Sequence, residues 1–504
     1  MSGSPSPSST HPVATTTSGR VEGRVVTHGV LRFAGIPYAA APFGDSRMLP
    51  PAPVPPWDGV RDASSFGATV PKGDYPPAYA RILAEVTIPG DECLNVAVWT
   101  PDTSGPLPVL VWIHGGSFMN GSNSVAEYDG AAFARDGVVL VSVNYRLAAE
   151  GFLLLDDGIA NIGLQDQIAA LRWVHENIAA FGGDPDRVTV AGESAGAMSV
   201  STLLAMPAAK GLFAQAITQS GATANTITTD TALMVGRRLA ESVGVDDNRA
   251  AIVAAPIDRV VRAAADLVTE VQTAADPAKW GSLALSLLPF APVVDGVTLA
   301  EHPLDAIGSG SSDGVRVLTG WTRDEARLFL VAPGAIDHVD DAALLMSAAA
   351  YGIDEDAVNL YRRNRPDASP GDVLAAIVTD WFFAIPALRV AEARAARTAA
   401  PTWVYRFDHP EPEDSHGFGA AHSAEIPFVF DNLGEPTVLP RLGPHPSQQV
   451  ADTTHKIWVD FVTSGDPGWA PYATDTRTVR LIGEHVVDAD DPASDERHVW
   501  DEVR

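Results

Sequence analysis

The chain has one cysteine, Cys93, among 504 residues, so no disulfide can form within it. That fits a reducing compartment. Positive charge is also scarce: 34 Lys plus Arg stand against 63 Asp plus Glu, a net charge of −29. A surface this acidic repels phosphate backbones and anionic lipid, and mildly opposes anionic substrates. The sequence therefore predicts no nucleic-acid partner and no membrane attachment. No uninterrupted apolar run reaches the ~18 residues of a membrane span. The opening MSGSPSPSSTHPVATTT lacks the basic start and apolar stretch of a secretory signal. Residues 1–18 read instead as a disordered Ser/Thr/Pro-rich tail, and the expected location is cytoplasmic. What is abundant is ordinary globular material, 46% hydrophobic and 19% charged. A chain of this length can bury roughly three quarters of its extended surface without disulfides or metal.

Gly and Pro punctuate short extended pieces from Gly19 to about Trp57, and the proline-rich stretch from Gly35 to Trp57 predicts a surface loop. Continuous apolar runs follow at Pro108–His114 (PVLVWIH) and Gly137–Asn144 (GVVLVSVN), with a helix-like Ala131–Arg135 between them. Runs without polar alternation suit strands covered on both faces, as in a parallel sheet. Leu164–Ile178 spaces Ile168, Leu171, Val174 and Ile178 as one face of an amphipathic helix. Further strands are expected at Arg187–Ala191, Gln215–Thr218, Val315–Leu318 and Trp403–Phe407. The stretch Asp230–Ala350 is Ala-rich and mostly helical, expected to cover one end of the sheet. No fixed-period repeat or long linker interrupts residues 19–504, which predicts one α/β domain with a doubly wound, mostly parallel sheet.

Gly192-Glu193-Ser194-Ala195-Gly196 matches G-x-S-x-G between an expected strand and an expected helix. The pattern alone also occurs in ordinary glycine turns. In this context, glycines permit the sharp turn that exposes a serine hydroxyl beside a helix N-terminus. Acyl transfer also needs donors for a developing oxyanion. His114-Gly115-Gly116-Ser117-Phe118, at an earlier strand end, could supply backbone N–H groups. The chain order serine, acid, histidine then requires a carboxylate and a base downstream. Asp324 and Glu325 follow the strand at Val315–Leu318, and spacing does not separate them. His422 follows the strand at Trp403–Phe407, with His416 a competitor. His409, Glu411, Glu413, Asp414, His416 and His422 could imitate a metal cluster, but their spacing fits no zinc pattern, so no metal is expected. Gly308–Gly314 (GSGSSDG) lacks the ending of a phosphate loop and reads as a linker.

These residues resemble the type B carboxylesterases of the α/β-hydrolase superfamily, and most of all their bacterial para-nitrobenzyl esterase-like members. The resemblance runs from about Thr17 to Arg504, through Phe33–Ala39, Asn144–Phe152, Asn161–Gly196 and Phe290–Gly296. It implies the α/β-hydrolase fold, a helical region over the C-terminal ends of the strands, no cofactor, and a small-molecule ester substrate. The resemblance implies Ser194 as nucleophile, Glu325 as acid and His422 as base. Gly116, Ser117 and Ala195 are implied as the oxyanion hole, with Gly115 as fallback. It further implies Ser220 beside the acid, ion pairs Arg146–Asp166 and Arg47–Asp91, and an aliphatic acyl pocket around Ser286–Leu288. Val70 stands where disulfide-bonded relatives carry cysteine, and no tryptophan between Val70 and Cys93 offers a choline platform. An amidase or carbamate hydrolase would use the same triad. A non-catalytic, neuroligin-like binding protein would not need it. A monomer or small homo-oligomer is expected.

Overall fold

A computed structural model describes residues 11–274, 276–397, 399–409 and 417–503. Its frame is an 11-stranded sheet. In chain order the strands are β1 (Arg24–Val25), β2 (Leu31–Pro37), β3 (Asn95–Thr100), β4 (Leu107–Ile113), β5 (Val139–Val143) and β6 (Gly183–Glu193). They continue as β7 (Gln215–Gln219), β8 (Arg316–Thr322), β9 (Thr402–Phe407), β10 (Thr478–Ile482) and β11 (Val486–Asp490). The spatial order is β11-β10-β9-β8-β7-β6-β4-β5-β3-β2-β1. Every pairing from β10 across to β5 is parallel, and the outer pairings are antiparallel.

The apolar run LPVLVWI shows why a parallel strand has no polar face. Val109, Val111 and Ile113 enter one hydrophobic core while Leu110 and Trp112 enter another. Successive side chains point to opposite faces, so the sheet separates two cores and each must be apolar. Val404 against Trp403, Tyr405 and Phe407 repeats the division on β9. Each fully buried side chain of this size contributes about 1.5–3 kcal/mol.

Helix Ile162–Asn177 leads into β6, and helix Ala195–Leu203 leaves it. Between β7 and β8 the chain is mainly helical, at Thr229–Val243, Arg249–Ala254 and Ile257–Thr273. The continuous helix Pro370–Ala395 has a mean hydropathy of 1.7 in its most apolar window, enough by length and composition to cross a membrane. That window is 72% buried inside the protein, the mark of a core helix. A wide π turn interrupts it at Asp380–Ala384. Pro386 has no N–H to close the ordinary helical bond there.

Residues 11–18 do not form part of a disordered tail, contrary to expectation. Val13–Thr15 is a strand pairing antiparallel with Arg20–Glu22, Ala14 is buried, and the Thr16 hydroxyl donates to Gly19 O at 2.8 Å. The Ser/Thr composition that suggests disorder here supplies turn hydrogen bonds instead. Residues 1–10 lie outside the described residues.

Candidate active site

β6 ends at Glu193, and Ser194 turns the chain with φ 54° and ψ −125° before helix Ala195–Leu203 begins. A non-glycine residue in such a conformation costs roughly 1–3 kcal/mol and persists only when its surroundings enforce it. Here the Ser194 N–H donates to Gln219 O at 2.9 Å, and Ser194 O accepts from Met198 N–H at 2.9 Å. Gly196 completes the enforcement: a Cβ there would lie 2.0 Å from Ile113 O, so only glycine lets the helix approach β4 this closely.

The turn after β4 brings a second segment beside the serine. Gly116, Ser117 and Phe118 all have positive φ. Gly116 O accepts from the N–H groups of Met119 and Asn120, each at 2.9 Å. The N–H groups of Gly116, Ser117 and Ala195 take no protein acceptor among the described residues. Gly116, Ser117 and Ser194 line one narrow cavity with Tyr75, Glu193 and His422.

The two adjacent acids separate cleanly. Glu325 is fully buried, its Oε2 2.6 Å from His422 Nδ1 and its Oε1 accepting the Thr322 N–H at 2.8 Å. Asp324 turns outward to Arg323 at 2.9 Å and accepts the Ala420 N–H at 3.0 Å. The rings of Phe383 and Phe329 flank His422 at centroid distances of 4.9 and 5.2 Å. His422 Nε2 lies 3.1 Å from Glu193 Oε1, without hydrogen-bond geometry. No hydrogen bond joins Ser194 to His422 among the described residues.

A buried serine elbow, an adjacent turn with free N–H groups and a carboxylate-bound histidine coincide with a match to the carboxylesterase family profile over residues 10–498. The chain belongs to the carboxylesterase family. It is 37% identical to the para-nitrobenzyl esterase of Bacillus subtilis, over 97% of this chain and 98% of that protein. It is 36% identical to the phenmedipham hydrolase of Pseudarthrobacter oxydans, over 94% of this chain and 96% of that protein. A crystal structure of a Geobacillus stearothermophilus carboxylesterase superposes with a TM-score of 0.84 at 36% identity, covering 97% of this chain and 99% of that one. This carboxylesterase is thus a serine hydrolase of ester bonds on the α/β-hydrolase fold.

Its electrostatics concentrate around one imidazole. Burial opposes the charged form of His422, but Glu193, Glu325 and Glu425 outweigh it and raise the pKa to about 9. Burial raises Glu193 to about 8, with Glu425 and Glu325 adding repulsion and His422 opposing. Glu425 is raised to about 7 by burial first and then by Glu325. Its Oε1 accepts from Gln219 Nε2 at 3.0 Å, and its Oε2 has no hydrogen-bond partner among the described residues. Sequence reasoning gave neither Glu193 nor Glu425 a role of its own. It missed Phe329, Phe383 and the whole segment carrying Tyr75, since nothing local marks residues whose role comes from distant neighbours.

Other expectations divide. Arg146 and Asp166 form a buried two-point ion pair with contacts at 2.6 and 2.8 Å in this carboxylesterase. Arg47 does not pair with Asp91. It pairs with Glu150, buried beside it, while exposed Glu92 takes Arg61 at 2.9 Å. A buried guanidinium needs a buried carboxylate, and Asp91 is exposed. Ser220 is fully buried, but its hydroxyl makes no hydrogen bond to Glu325 or to any other group among the described residues. Residues 286–288 do not line the cavity at Ser194. Of the histidine-rich candidate cluster, residues 411–416 lie outside the described residues, and no metal-holding group of His, Cys, Asp or Glu occurs among the described ones.

Proposed function

We propose that this carboxylesterase hydrolyses small carboxylic esters through an acyl-enzyme on Ser194, with His422 as general base and Glu325 as its orienting acid. The observation that carries the assignment is the 2.6 Å contact between Glu325 Oε2 and His422 Nδ1, at the cavity that the elbow residue Ser194 lines. A carboxylate on Nδ1 fixes the tautomer that leaves Nε2 free to take a proton. His422 Nε2 accepts the Ser194 proton as Oγ attacks the ester carbonyl. Ser194 and His422 line the same cavity, and catalytic hydrogen bonds commonly tighten only once substrate is bound. The N–H groups of Gly116, Ser117 and Ala195 receive the oxyanion, where one such donor is worth about 3–4 kcal/mol. The imidazolium protonates the departing alcohol, and water repeats the sequence on the acyl-enzyme. No cofactor enters.

The cavity at Ser194 is lined by Glu127 and Glu193 and by no lysine or arginine, and Arg441 pairs with Glu127. With no unpaired lysine or arginine there to bind an anionic group, the lining favours neutral esters. We read residues 19–504 as one domain, supported by the single large sheet that runs from β1 to β11. The buried Cys93, with its pKa pushed up to about 12 by burial, suits a cytoplasmic location, and the net charge of −29 opposes nucleic-acid and anionic-membrane partners. A panel of para-nitrophenyl esters from acetate to long acyl chains, with matched amides and carbamates, tests the substrate class. Esters should turn over fastest, and Ser194→Ala should abolish turnover of all of them while the protein stays folded. Faster cleavage of the amides or carbamates would replace the reading.

A further inference from the structure

A buried ion pair pins the segment bearing Tyr75, Leu83 and Ala84 to the turn after β4. Lys72 Nζ lies 2.7 Å from Glu85 Oε1, with the Lys72 side chain fully buried and that of Glu85 nearly so. Lys72 also donates to Gly121 O at 2.7 Å. The other Glu85 oxygen accepts from Asn120 Nδ2 at 2.9 Å and from the Gly121 N–H at 3.2 Å. Asn120 Nδ2 donates in addition to Gly73 O at 2.8 Å. Both backbone groups of Gly121 and the Asn120 side chain are therefore held by one pair of charges.

That hold reaches Gly116. The Asn120 N–H donates to Gly116 O, and a Cβ on Gly116 would lie 2.3 Å from Asn120 O. The two residues are packed backbone to backbone, so Asn120 cannot shift without moving Gly116. Ser117, with φ 56°, is a non-glycine residue in a left-handed conformation that persists only when its surroundings enforce it. Burial pushes the Lys72 pKa down and the Glu85 charge pushes it back up. A desolvated pair is a costly way to hold a loop, because leaving either charge alone is strongly unfavourable. The same cost makes the clamp all-or-none.

We propose that Lys72 and Glu85 are positioning residues for the oxyanion hole, acting through Asn120 and Gly121 to aim the N–H groups of Gly116 and Ser117. The proposal rests on the assignment of those two N–H groups as oxyanion donors. Neither Lys72 nor Glu85 lines the cavity at Ser194. Their effect is on where the donors point, and a displacement of about 1 Å can cost roughly a hundredfold in rate.

The test compares an ester with its thionoester, in which sulfur replaces the carbonyl oxygen and meets N–H donors poorly. Wild-type enzyme should prefer the ester by roughly a hundredfold or more in kcat/KM if preorganised donors stabilise the oxyanion. Lys72→Met and Glu85→Gln should each lower kcat on the ester by about tenfold or more and shrink the ester-to-thionoester ratio at least fivefold or so, since only transition-state contacts are lost. A merely structural pair would slow both substrates alike and leave the ratio unchanged, which would overturn the proposal. A wild-type ratio near one would instead remove the donor assignment itself, and the proposal with it. Should Lys72→Met fail to fold, the near-isosteric Glu85→Gln decides the question.

Discussion

Replacing Glu325 by glutamine changes one atom and should nearly silence the enzyme. The reason lies in the fixed partners of that carboxylate. Its Oε1 accepts the Thr322 N–H at 2.8 Å, and its Oε2 faces His422 Nδ1 at 2.6 Å. In the glutamine the amide oxygen must face the Thr322 N–H, because an NH2 group there would set donor against donor. The NH2 group then faces His422 and forces Nδ1 to accept. The ring proton moves to Nε2, the nitrogen that has to take the Ser194 proton, so the base is blocked in its wrong tautomer. In a serine protease triad the equivalent aspartate-to-asparagine change costs ~10⁴ in kcat. The same loss here is about 5 kcal/mol of transition-state stabilisation. Asp324→Asn should cost less than about tenfold, because Asp324 turns away from His422 to the Ala420 N–H and the half-exposed Arg323. Steady-state kcat on a para-nitrophenyl ester, for both variants and at several pH values, reads the difference. A Glu325→Gln enzyme within tenfold of wild type, or a larger loss in Asp324→Asn, would refute the reasoning.

The acidic limb of kcat/KM should lie above the ~6.5 of an ordinary histidine, because Glu193, Glu325 and Glu425 hold His422 protonated to higher pH, toward 9. Activity therefore rises as pH climbs through that range. Glu193→Gln removes the largest attraction and should move the limb down, whereas a wild-type limb at or below 6.5 would contradict the electrostatics. Glu150→Ala strands the buried Arg47 and should destabilise the fold by about 3–5 kcal/mol in urea denaturation. Glu92→Ala breaks a largely exposed pair with Arg61 and should cost less than about 1 kcal/mol. Equal costs would show that burial does not set their worth.

Legibility followed the range of the interactions. The runs that became β4 and β5 are readable because two-sided burial forbids polar residues in them. The elbow is readable because Gly196 has no substitute at 2.0 Å from a carbonyl oxygen. Family resemblance selected Glu325 over Asp324, and of the two it is Glu325 that contacts His422. Arg47 was assigned the wrong acid, since its true partner lies 103 positions away and no local pattern marks it. Strands β10 and β11 carry charged residues among their apolar ones at the sheet margin, so they offer no continuous run to read. The cluster of Glu193, Glu425, Phe383 and Phe329 around one imidazole is assembled from separate elements by folding alone. A pKa for His422 near that of an isolated histidine is all that its sequence context suggests.

The most direct measurement is titration with a fluorophosphonate that captures an activated serine, followed by peptide mass mapping. One adduct per chain, located on Ser194 and proportional to lost esterase activity, is the result this account requires. Full inactivation with the adduct on another residue, or complete modification of Ser194 with activity retained, would contradict it.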